Sequence, residues 1–100
     1  MSQPSEVRDR EVLRLRRVGW SFSRISRELH LERPSEAQRM LQRAINGLPE
    51  PEQREVREQE SSRLDRLAAR VTADNEQTPE DRDRRLAAIE RLRTSLTTKS

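Results

Sequence analysis

The sequence predicts an all-α protein, with a three-helix helix-turn-helix unit followed by a two-helix hairpin or coiled-coil oligomerisation segment. Three observations predict it. Apolar residues recur at spacings of three and four through most of the chain, as on a helix with one buried stripe. Gly19, Pro34, Gly47, Pro49 and Pro79 fall between those runs rather than inside them. Ser21, Ser35 and Thr78 stand where helix starts need a side-chain oxygen to accept an unpaired backbone N–H.

The first helix is expected over about residues 5–18, where Val12, Leu15 and Val18 recur at three-residue spacing and Val7 and Leu13 edge the stripe. Gly19 is its stop. Ser21 caps a second helix whose Phe22, Ile25 and Leu29 share one face, with Arg24 and Arg27 outside it. The connector "HLERP" is short, and Pro34 disfavours a helical Arg33. Ser35 is expected to cap a third helix reaching Ile45 or Asn46. "INGLP" closes it, with Gly47 in the left-handed conformation, Leu48 folding back as a hydrophobic clasp and Pro49 blocking continuation. This gives a first domain over residues 5–48.

"PEPE" reads as a brief stiff junction to a second domain over residues 51–97. A long polar helix to Ala73 carries a narrow seam of Val56, Leu64, Leu67, Ala68 and Val71, interrupted by Glu60 and Arg63. "ADNEQ" breaks it. Thr78 caps the next helix, Pro79 takes its first position, and Glu80, Asp81 and Asp83 sit near the positive end of the dipole. Leu86, Ile89, Leu92 and Leu96 form its stripe, and "TTKS" is a frayed tail.

Composition narrows the function. One hundred residues with 30% apolar content, one Trp, one Phe and no Tyr build only a small core. A hairpin with eight large apolar side chains, Val56, Leu64, Leu67, Val71, Leu86, Ile89, Leu92 and Leu96, does not offset the entropy of ordering it. Those eight are therefore the candidate oligomerisation contacts, through which the chain packs on copies of itself, on another protein or back onto the front domain. The absence of cysteine excludes disulfides and thiolate metal sites. No apolar signal segment or membrane-length run is present, so a cytoplasmic protein without a membrane partner is expected.

Enzymatic chemistry finds no support. His30 is the single histidine, "RELHLERP" offers it no metal or catalytic partner, and it reads as a turn or surface residue. "PEDRD" lacks calcium-loop spacing and reads as a helix start. No carboxylate pair, Ser–His–Asp set or glycine-rich phosphate loop can be assembled. Catalytic residues, metal and cofactors are expected to be none. Trp20 and Phe22, which are capable of stacking on bases, are expected in the core.

Charge distribution says more than the net +3. Up to Leu48 ten Arg face six acids, whereas from Pro49 on eleven basic residues face twelve acids. A basic front half suits an anionic partner. On a wheel of the third helix, Met40, Leu41, Ala44 and Ile45 fall within roughly 80° of Ala37, at about 100° per residue. Glu36, Arg39, Gln42 and Arg43 cluster opposite. Arg offers parallel donors to guanine, and Gln pairs donor with acceptor on adenine. The candidate base-facing set is thus Ser35, Glu36, Arg39, Gln42 and Arg43, and the candidate phosphate set is Arg24, Arg27 and Arg33. A polar helix face needs no partner when taken alone. Three short helices, a tight turn containing Pro34 and the front-loaded charge favour double-stranded DNA.

"LRRVGWSFSRISREL", "SEAQRMLQRAI" and "REQESSRLDRL" together resemble the helix-turn-helix segment of phage small terminase subunits and related phage DNA-binding proteins, over residues 12–71. Those proteins carry a "Leu-Arg-x-x-Gly" helix end, an "Ile-Ala-x-x-Leu-Gly" helix, a recognition helix ending "Ala-Leu", and a charged helix of the type "Arg-x-x-Glu-x-x-Arg-Leu-Asp-x-Leu". The last pattern, matched from Arg57 to Leu67, is the most specific. His30 departs from the second-helix pattern, standing where such proteins commonly have the turn glycine. The resemblance implies DNA recognition within a homo-oligomer, often a ring, assembled through the hairpin, with a large terminase subunit as a further partner. A small dimeric helix-turn-helix transcriptional regulator is the alternative with the same chemistry. A helical adaptor that binds protein and not DNA is the alternative of another class.

Overall fold

The computed structural model describes residues 4–97, and over them the chain is all-helical: α1 (Pro4–Arg17), α2 (Phe22–Glu28), α3 (Pro34–Asn46), α4 (Glu50–Ala73) and α5 (Pro79–Thr97). Most of the tail read as frayed, residues 98–100, lies outside the described residues. The chain divides into two compact units, Met1–Gln53 and Arg54–Ser100.

In the first unit α3 packs against both α1 and α2. Val12 and Leu15 of α1, Ile25 of α2 and Ala37, Leu41 and Ile45 of α3 are buried together with Leu13 and Met40. Two corners turn the chain by the same device. Gly19 has φ 105°, Trp20 N–H donates to Leu15 O at 3.1 Å and Gly19 N–H to Arg16 O at 3.0 Å. That is a left-handed residue satisfying the last carbonyls of α1. The second corner repeats it with His30 at φ 58°, where Leu31 N–H reaches Ser26 O at 2.8 Å and His30 N–H reaches Arg27 O at 3.4 Å. The turn thus has glycine-type geometry without glycine. Ser21 caps α2 as its position predicts, its Oγ accepting from Arg24 N–H at 3.1 Å.

Several local expectations are corrected. The helix ends at Arg17, so Val18 leaves the stripe and is 66% exposed, while Leu13, expected at the edge, is buried because α3 covers that side. Trp20 and Phe22 are half-buried rather than core, each under a guanidinium: Arg24 lies 3.8 Å over Trp20 and Arg16 lies 3.8 Å over Phe22. Cation–π stacking completes the cover that aliphatic neighbours do not supply. The N-cap of α3 is extended Arg33, with Pro34 in its first turn and no side-chain cap, so Ser35 is already inside the helix. Gly47 is right-handed at φ −85°, and its N–H is shared between the carbonyls of Arg43 and Ala44. The carbonyls on either side of it are served from the next helix, where Gln53 Nε2 donates to Leu48 O at 2.8 Å and to Asn46 O at 3.2 Å. That side chain ties the first turn of α4 to the end of α3 and carries the first unit past "PEPE" to Gln53.

In the second unit α4 and α5 form an antiparallel hairpin within one chain. Arg93 bonds Asp65 at 2.5 Å and Arg85 bonds Asp74 at 3.3 Å, so partners move apart in sequence at the same rate on both helices. Leu64, Val71, Ile89 and Leu96 make its core, with Leu67, Ala68, Leu86 and Leu92 packed against it. Thr78 caps α5 through Asp81 N–H at 3.1 Å. No helix of the described residues is long and apolar enough to cross a membrane.

Candidate nucleic-acid interface

The outer face of α3 is narrower than its wheel suggests, because α1 claims one flank. Asp9 of α1, 7% exposed, grips Arg43 by both oxygens: Nε to Oδ2 at 2.9 Å and Nη2 to Oδ1 at 3.0 Å. The hydrogen-bonded carboxylate holds the Arg43 guanidinium above its ordinary pKa, against a smaller opposing effect of burial. Arg43 was expected to face bases, but its fork is already engaged within the protein. Glu36 is half-buried and folds back on the chain, its Oε1 accepting from Glu32 N–H at 3.1 Å. That is the helix-start role of an acid in the first turn. Gln42 is half-buried with Nε2 enclosed and unpartnered among the described residues. Pairing both its amide groups with an adenine edge requires the side chain to swing outward. Ser35 is half-buried in the first turn. Arg39 is exposed and makes no hydrogen bond or ion pair among the described residues.

The phosphate set divides in a similar way. Arg27, on the last turn of α2, and Arg33, at the start of α3, are exposed and unpaired among the described residues. Arg24 is exposed but stacked on Trp20, which occupies the face of the guanidinium and leaves its edge donors available. Elsewhere in this unit the arginines are engaged: Arg10 with Glu6, Arg14 with Glu11, Arg16 with Trp20 O and the Phe22 ring, Arg43 with Asp9. The arginines of this unit whose side chains have no partner among the described residues, Arg27, Arg33 and Arg39, therefore lie on α2, at the start of α3 and in its first half.

Arg8 has no role that sequence spacing can reveal. It lies on α1, more than twenty residues before the turn, yet its Nη2 donates to Leu29 O at 2.6 Å. It lines one depression of about 550 Å³ with His30, Arg33, Ser35, Glu36 and Arg39. No group of three or more metal-ligating side chains occurs among the described residues.

Of the eight candidate oligomerisation residues, Leu64, Leu67, Val71, Leu86, Ile89, Leu92 and Leu96 close on one another inside the hairpin. Val56 is also buried, outside that cluster. The large apolar side chains that stand exposed among the described residues are Val7 and Val18, both beside or on α1. Set against protein-family models, curated proteins and solved structures, the chain has no match.

Proposed function

We propose that this chain binds double-stranded DNA through α3 and the turn before it, and that it does so as a homo-oligomer, in the manner of the phage small terminase subunits its sequence resembles. The observation that carries the reading is the sorting of the arginines. Within the first unit the other arginines have partners inside the protein, whereas Arg27, Arg33 and Arg39 around the turn have none among the described residues. Unpaired guanidinium groups on adjoining elements suit a polyanion, because each phosphate they neutralise releases counterions. The left-handed turn at His30 supports the same reading, since it turns the chain tightly between α2 and α3 as a helix-turn-helix requires. On this reading Arg39 reaches base edges, Arg27 and Arg33 hold the flanking backbone, and a large packaging subunit is a further partner.

The test is fluorescence anisotropy of labelled duplexes across a salt series, with oligomeric mass by light scattering. Arg39→Ala is expected to relax sequence preference, and Arg27→Ala to weaken all duplexes alike. Assembly into a ring supports packaging, whereas a dimer bound to one palindromic site supports the transcriptional regulator. Absence of duplex binding at low salt defeats the proposal in favour of the protein-binding adaptor.

A further inference from the structure

The depression beside the turn joins α1 to the start of α3, which the sequence keeps apart. Arg8 comes from α1, Arg33 is the N-cap residue of α3, and Ser35 lies in the first turn of that helix. Arg33 is unpaired. Arg8 is held by its 2.6 Å bond to Leu29 O, a carbonyl at the C-terminal end of α2, so one donor of the guanidinium fixes the side chain over the turn. A guanidinium has five donors, and four remain for something else. Such a tether lowers the ordering entropy that an exposed arginine loses when it meets a ligand. Two acids, Glu32 and Glu36, also line the concavity; Glu36 is turned back to the Glu32 N–H, and Glu32 is exposed.

We infer that Arg8 and Arg33 together seat one phosphodiester of the DNA backbone, with Arg39 beside them carried into the adjoining groove. The inference rests on the DNA-binding reading and adds α1 to the contact surface. A phosphate held from two elements fixes the angle at which α3 enters, because the contact lies at the junction of α1 and α3 and not on α3 alone. Arg39 also lines the neighbouring depression with Arg8, Leu31 and Met40, so the seat and the reading side chain adjoin.

The experiment compares Arg8→Gln and Arg8→Lys with the wild-type chain, using anisotropy against two unrelated duplexes between 50 and 200 mM salt and thermal unfolding of each variant. Arg8→Gln is expected to bind both duplexes several-fold more weakly at low salt, with the logarithmic salt slope shallower by about 0.9. Arg8→Lys, which keeps the charge, is expected to recover most of that slope. Equal behaviour of the two variants, with only their unfolding temperatures lowered, leaves Arg8 a helix-capping residue and overturns the seat. Wild-type binding with an unaltered Arg8→Gln slope overturns the seat while the parent reading stands; a wild-type chain that binds no duplex removes both.

Discussion

His30 holds a conformation that a Cβ disfavours by about 1 kcal/mol or more. Its imidazole is exposed, so nothing packed around the side chain depends on it. Replacing it with glycine is expected to raise stability by about 0.5–1 kcal/mol after the greater freedom of the unfolded glycine chain is deducted. The readout is thermal denaturation, and a fall in stability would show that the imidazole carries weight of its own. Asp9 offers a prediction of opposite sign for two properties at once. Asp9→Asn keeps the shape but weakens the two-oxygen grip on Arg43, whose side chain is 55% exposed. Because the pair is half open to solvent, a loss of only about 1–2 kcal/mol is expected. The same change frees a guanidinium next to Arg39, so DNA affinity at low salt is expected to rise even as the melting temperature falls. A parallel fall of both would mean that Asp9 acts through folding alone.

Helix ends separate what is local from what is not. The Ser21 and Thr78 caps and the Gly19 corner were legible because each is settled within five residues of chain, by an oxygen or a missing Cβ meeting backbone groups of the same turn. The end of α3 was not legible. Gly47 has no need of the left-handed conformation, since its N–H already reaches the carbonyls of Arg43 and Ala44 from the right-handed one and the Gln53 amide serves those of Asn46 and Leu48. The candidate interface was legible to the same extent: Arg39, Arg33 and Arg27 follow from helical period and turn position, whereas Asp9 engaging Arg43 and Arg8 reaching Leu29 are links across α1 that no spacing rule reports. Gln53→Ala tests the helix-end account. It removes two hydrogen bonds, to the carbonyls of Asn46 and Leu48, and a loss of about 1 kcal/mol is expected by urea denaturation. Gln53→Glu, which cannot donate, is expected to cost at least as much; a neutral result in both variants would return the capping of α3 to the backbone alone.

At the scale of the molecule, the number of free charges limits what one copy can do. Arg24, Arg27 and Arg33, with the tethered Arg8, give about four phosphate-directed groups per first unit, against roughly 6–10 phosphate contacts for a protein with strong salt-dependent affinity. Two or more copies on one duplex close that gap, since linked sites multiply affinity through effective concentration without any new kind of contact. On the proposed reading the hairpin joins the copies, and because its aliphatic seam is filled from within the chain, they would meet through its outer sides only while that core is intact. Ile89, 4% exposed at the centre of the seam, is the place to break it. Ile89→Asp buries a charge among leucines and is expected to lower the mass by light scattering and to weaken duplex binding by about 10²-fold. Trp20, the single tryptophan, lies in the first unit, so its fluorescence reports whether α1 to α3 remain folded. A variant that loses helicity, keeps its Trp20 signal and still binds DNA as the wild type does would separate the hairpin from recognition and leave a single copy sufficient.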